Sequence, residues 1–149
     1  MIGVLVISHE PFGTSLIHCT RHIFNRMLPQ LAALDVIPDE DPEEAIAAAR
    51  VLCSRISDGS GVLVLTDITG ATPSRIAAAL AEPYRCTVVA GVNLPLLVKA
   101  LTHRRGAELD ELVERLLPAA RDAIAPISPA LFDPAPAPGG DKACKGDDA

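Results

Sequence analysis

Two short runs, IGVLVI at residues 2–7 and GVLVLT at residues 61–66, are apolar or glycine at nearly every position and rich in β-branched side chains. A strand with one face in water alternates apolar and polar residues, whereas a strand without that alternation has both faces covered. Such covering is the condition of a parallel sheet held between two layers of helices. CTVVAGV at 86–92 is a third run of this kind, and LAALDVIP at 31–38 is a more mixed strand that Pro38 brings to an end. Helical stretches lie between all of them. The alternation predicts a doubly wound α/β domain with a mainly parallel four-stranded sheet and helices on both faces.

The helices carry their own signals. Residues 12–28 place Leu16, Cys19, Ile23 and Met27 on one stripe, and 42–57 open on Asp41-Pro42 with acids in the first turn. Thr72-Pro73 opens a helix over 73–81 in the same way. LPLLVKALTH follows Asn93, and residues 108–124 form an amphipathic helix with Glu111 and Arg115 at i,i+4. His103, Arg104 and Arg105 close the fourth helix, where cations complement the dipole. At 149 residues the chain suits one domain, assigned here to residues 1–127. Residues 128–149 read as a Pro/Ala-rich, charged tail without fixed structure.

Composition removes several classes of function. A formal net charge of −6 and no basic stripe interleaved with aromatics argue against a nucleic-acid surface. The first residues lack a basic n-region and soon meet Glu10 and Pro11, and no apolar run is long enough to span a bilayer, so a cytoplasmic protein is expected. Cys19, Cys53, Cys86 and Cys144 are scattered without a C-x-x-C pair, which fits a reducing compartment rather than a disulfide framework or zinc knuckle. Three read as packing residues and Cys144 as a tail thiol.

In an open α/β sheet, ligands bind beyond the carboxyl ends of the strands where the strand order reverses. The first strand ends in Ser8-His9-Glu10 and the third runs into TDITGATPS, residues 66–74. If the order is 2-1-3-4, those two strands are neighbours, and His9 and Asp67 leave the sheet side by side. A carboxylate that accepts the proton of one ring nitrogen leaves the other nitrogen as a nucleophile. Gly70, Ala71 and Thr72 lead into a helix start suited to an anion, and the hydroxyls of Ser8, Thr69 and Thr72 are further donors. Each residue also has a plain structural reading: His9 as a solvated strand end, Asp67 as a turn cap, Thr72 as a helix N-cap.

VISHEPFG, VLVLTDITGATPSRIA and VVAGVNLPLLVKAL resemble the three signature stretches of the mannose-type enzyme IIA domain of the bacterial phosphoenolpyruvate-dependent sugar phosphotransferase system. The resemblance covers residues 1 to roughly 125, in the family's order and spacing. It implies a phosphocarrier that is phosphorylated on Nε2 of His9, with Asp67 on the other ring nitrogen and no metal or organic cofactor. The family's D-x-x-G-[GA]-[ST]-P turn is met by Asp67, Gly70, Ala71, Thr72 and Pro73, and its G-V-N-[LI]-P segment by Gly91 to Pro95. Phosphate would come from phospho-HPr and go to a IIB-type protein, in sugar uptake or in a regulatory partial phosphotransferase system. Contact with a membrane would come only through a transporter complex. The family also implies a homodimer that exchanges an antiparallel C-terminal edge strand, here IAPIS at 124–128. Many members continue through an Ala/Pro-rich linker into a fused IIB domain; this sequence stops after a short charged tail, so a separate acceptor is expected.

Other constellations are weaker. A receiver domain would also place a phospho-acceptor at Asp67, but it needs an acidic pair after strand one, and only Glu10 is there. The phosphoryl donor subunit of a dihydroxyacetone kinase has a different turn after strand three. His18 and His22 are spaced to bind zinc, but no H-E-x-x-H pattern or further ligand accompanies them. Ser8 and His9, adjacent on a strand, face opposite ways and cannot form a hydrolase pair.

Overall fold

The computed structural model describes residues 1–81 and 85–133. The chain runs β1 (Gly3–His9), α1 (Phe12–Phe24), β2 (Leu31–Val36), α2 (Pro42–Ile56), β3 (Val62–Thr66), α3 (Thr72–Ala78), β4 (Cys86–Ala90), α4 (Leu94–His103) and α5 (Leu109–Asp122), with a short 3-10 turn at Pro129–Phe132. All three strand pairings are parallel and the order is β2-β1-β3-β4. This is the doubly wound α/β arrangement that the strand runs predict. The helices begin close to the sequence signals. Asp41 caps α2 by accepting from the Glu43 amide, and Asn93 caps α4 by accepting from the Leu96 amide.

The burial of the strands explains their sequences. β1 and β3 are central, and every residue in them is buried except His9 at the end of β1. Side chains alternate between two cores. Val4, Val6, Leu63 and Leu65 pack with α1, α4 and α5, while Leu5, Ile7, Val62 and Val64 pack with α2 and α3. β2 and β4 are edges and half-buried almost throughout, which is why LAALDVIP is the more mixed run.

Two expectations need correction. Helix α1 stops at Phe24, where Asn25 adopts the left-handed conformation, and its buried residues are Gly13, Leu16 and Thr20. Cys19, Ile23 and Met27 are exposed, so the apolar stripe read from the sequence is displaced from the face that packs. Glycine sets the true face. A Cβ on Gly13 would lie 2.9 Å from Ser8 Oγ and 3.0 Å from Asp35 Oδ1, so α1 sits on β1 and β2 at a distance only glycine allows. Second, Cys53 and Cys86 do pack in the core, but Cys19 does not; Cys144 lies outside the described residues. Residues 124–128 form no strand with the other described residues of this one chain. The tail after residue 133 lies outside the described residues. Among those described, no helix is long and apolar enough to cross a membrane.

The N-terminus of α1 has no side-chain cap of its own. Asp35 in β2 supplies one from outside the helix, accepting from the Thr14 amide at 3.1 Å. Gly13→Ala should therefore lower stability by about 1–3 kcal/mol, the usual cost of overpacking, read as the shift of a urea unfolding midpoint. Adding Ser8→Ala, which removes the nearest obstacle, should recover part of that loss.

Candidate functional site

The register of β1 and β3 builds the site. Ile7 stands opposite Thr66, so the next residues of both strands leave the sheet together at the carboxyl end. His9 and Asp67 then meet directly. Asp67 Oδ2 accepts from the His9 backbone amide at 2.9 Å and lies 2.6 Å from ring Nδ1, while Oδ1 accepts from the Ile68 amide at 2.8 Å. The His9 side chain is 53% exposed and the Asp67 side chain 13%.

Burial raises the Asp67 pKa, but the hydrogen bonds from the His9 amide, the His9 ring and the Ile68 amide outweigh it and hold the carboxyl below its ordinary range. An ionised carboxylate only accepts, so Nδ1 carries the proton, and in the neutral ring the lone pair lies on Nε2. That tautomer leaves Nε2 as the nucleophilic nitrogen. With both its oxygens engaged and most of its surface covered, Asp67 does not itself present a nucleophile, which counts against the receiver-like reading.

The sequence-derived donors divide on inspection. Ser8 is fully buried on the opposite side of the strand from His9, against Gly13, and its Oγ has no partner among the described residues. Strand alternation removes it from the phosphoryl site. The Gly70 amide is occupied too, because it donates to Ser74 Oγ at 2.9 Å. Ser74 in turn donates to the Ala71 carbonyl at 2.7 Å, locking the turn. Gly70 sits at φ +88°, where other residues are strained, so it shapes the loop rather than binding an anion. The N-cap of α3 is Ala71, without a side-chain cap, and Thr72 is the first helical residue. Its hydroxyl is therefore not spent on capping. Thr69 and Thr72 are both exposed, and Thr72 borders a cavity of about 550 Å³ together with His9.

Sequence reasoning missed three contributions. Ser74 locks the turn; a serine four residues after a turn glycine was the available signal. Gly91 donates its amide to the Asp67 carbonyl at 3.0 Å and Val92 donates to Thr66, so the GVNLP segment braces the loop that carries the carboxylate. The cavity beside His9 is also edged by Glu10, Asp39 and Glu40, with Ile37 exposed there and Phe12 and Ile68 exposed nearby in the chain. His18 and His22 lie edge to face on α1 with centroids 5.4 Å apart. Among the described residues no group of three or more His, Cys, Asp and Glu is placed to hold a metal.

Two outcomes follow from the His9–Asp67 pair. Nitrogen-15 spectra at pH 8 should show the Nδ1–H tautomer in the wild type and a shift toward Nε2–H in Asp67→Ala. A depressed native pKa means the ionised carboxylate stabilises the fold above the unfolded-state value near ~3.9. Its contribution is then lost as pH falls through the lower native value. The stability gap between wild type and Asp67→Asn should thus be present at pH 7 and shrink below about pH 4, measured by urea unfolding.

Residues 3–117 match the EIIA-man family, described as the PTS system fructose IIA component. The phosphotransferase enzyme IIA component YadI of Escherichia coli K12 is 37% identical over 73 residues, 46% of this chain and 50% of that protein. The chain thus spans about half the length of that relative. The fructose-specific EIIA component of the PTS of Bacillus subtilis 168 is 32% identical over 117 residues, 78% of this chain and 80% of that protein. The crystal structure of phosphotransferase component EIIA from Streptococcus agalactiae shares the fold, with a TM-score of 0.76, 24% identity, and coverage of 85% of this chain and 97% of that one. The matched segment contains all four strands and both His9 and Asp67, and the chain belongs to the EIIA-man family of phosphotransferase-system IIA components.

Proposed function

We propose that this chain is a phosphocarrier that takes a phosphoryl group from phospho-HPr onto Nε2 of His9 and passes it to a IIB-type protein. The observation that carries the reading is the 2.6 Å contact between Nδ1 and a carboxylate held ionised, on a ring whose other face is open to solvent. In the forward step the Nε2 lone pair attacks phosphorus as the donor's N–P bond breaks, and that bond's electrons return to the donor imidazole. Nδ1 keeps its proton. The phosphorylated ring gains imidazolium character, and Asp67 stabilises the positive charge at short range. The exposed Thr69 and Thr72 hydroxyls and the amide of half-buried Ala71 supply donors to the phosphoryl oxygens. No bond to carbon is made or broken, so alignment and electrostatics do most of the work.

The surroundings favour a protein as the bearer of phosphate. An acidic edge of Glu10, Asp39 and Glu40 repels a free anionic metabolite. The same edge, with exposed Phe12, Ile37 and Ile68, suits a partner surface that mixes basic and apolar residues.

The homodimer has support of its own. Ile124, Ile127, Leu131 and Phe132 follow α5 on an arm, each at least 72% exposed, while β4 leaves one edge unpaired among the described residues. An unpaired edge and an apolar arm without a cover are complementary. Exchange of this arm between two copies accounts for both.

Incubation with phosphoenolpyruvate, enzyme I and HPr should add one acid-labile, base-stable phosphoryl group to the wild type by intact mass. None should appear on His9→Ala, and labelling that persists in that variant would overturn the proposal. Asp67→Asn should slow transfer by about 10²-fold or more, by analogy with other histidines that lose their orienting carboxylate. Ser8→Ala should transfer at the wild-type rate. Light scattering should report a dimer for the full chain, and removal of the residues after Ala123 should give a monomer.

A further inference from the structure

The pole of the sheet opposite His9 carries a second concentration of charge. A cavity of about 280 Å³ opens there between the C-terminal ends of α1 and α4, bordered by Met1, Arg26, Arg104 and Arg105 and floored by Leu28 and Leu101. Arg104 is 2% exposed. Its terminal nitrogens donate to the carbonyls of Ile2, Pro29 and Gln30, tying α4 to the starts of β1 and β2. Its Nε is buried and has no partner among the described residues. A charged donor left in this state is costly unless an acceptor reaches it.

Among the described residues no carboxylate pairs with these arginines. The ion pairs among the described residues are Met1 with Asp58, His9 with Asp67 and Arg85 with Glu108; none involves Arg26, Arg104 or Arg105. No carboxylate lines the cavity, and Asp58, which pairs with the N-terminal amine of lining residue Met1, has that amine as its counter-charge. Burial lowers the proton affinity of Arg104, and the guanidinium groups of Arg105 and Arg26 lower it further, which places three like charges within mutual range. The two helix C-termini oppose an anion with roughly half a charge each, against three guanidinium charges. The balance remains strongly positive.

We propose that this cavity is an oxyanion site, separate from the His9 site, which takes a phosphate or the phosphate group of a small monoester. Arg26 and Arg105 close on the oxygens from the rim, and the charge of the buried Arg104 guanidinium adds attraction from behind them. A planar guanidinium matches two phosphate oxygens at once, which a lysine does not. The cavity is large enough for a phosphate and a few further atoms.

The test is titration of the full-length His9→Ala chain with inorganic phosphate at low salt, followed by amide NMR. That variant removes the phosphorylation chemistry, so the outcome does not depend on the proposed carrier role. Saturable shifts at Arg26, Leu28, Arg104 and Arg105 are expected. Arg26→Gln with Arg105→Gln, both on exposed side chains, should weaken binding about tenfold or more, while Arg104 is left intact because the fold rests on it. A parallel titration with glycerol 3-phosphate separates the sources: tighter binding points to a phosphate monoester, equal or weaker binding to free phosphate. Shifts reproduced by chloride at equal ionic strength, shifts confined to the His9 and Thr72 loops, or an affinity unchanged in the double variant would each overturn the proposal.

Discussion

The parallel pairing of β1 with β3, with Ile7 opposite Thr66, is the constraint from which the site follows. Two central strands covered on both faces by aliphatic side chains cannot slip by one residue without turning each core outward. Their common register therefore fixes where both strands end. It delivers an imidazole and a carboxylate to one rim, with the carboxylate received by two backbone amides as well as by the ring. The chemistry of the pair is thus held by the same apolar packing that holds the fold.

Around this centre, backbone groups do most of the positioning. The Asp67 carbonyl is taken by Gly91 and the turn beyond it is closed by Ser74, so the loop carrying the carboxylate is braced from β4 and from α3. Helix α1 leaves the other strand end over Gly13, capped by Asp35 from a neighbouring strand. The far pole is organised by different means. There one buried guanidinium gathers three carbonyls from the starts of β1 and β2, so charge takes the place that packing holds at the other end.

Much of this was legible in the sequence because it depends on local pattern. Unbroken apolar runs in IGVLVI and GVLVLT report strands covered on both faces, and a strand order that makes those runs neighbours brings His9 and Asp67 together. The misreadings have a shared cause. Leu16, Cys19, Ile23 and Met27 fit a helical period, but which face of α1 packs is decided by the close approach at Gly13, a tertiary fact. Ser8 sits beside His9 in sequence and on the other side of the strand in space. Gly70 is in the right turn with its amide already committed. The clustering of Arg26 with Arg104 and Arg105 brings together segments far apart in the chain, and no spacing rule anticipates it.

The doubly anchored Asp67 also limits how His9 can be used. A ring held through Nδ1 by a carboxylate that two backbone amides also engage has Nε2 as its one remaining ring nitrogen. On the proposed carrier role, giver and taker would both meet that one nitrogen, each after the other has left. A site of that kind would work like a turnstile, with no assembly in which the two are seated together.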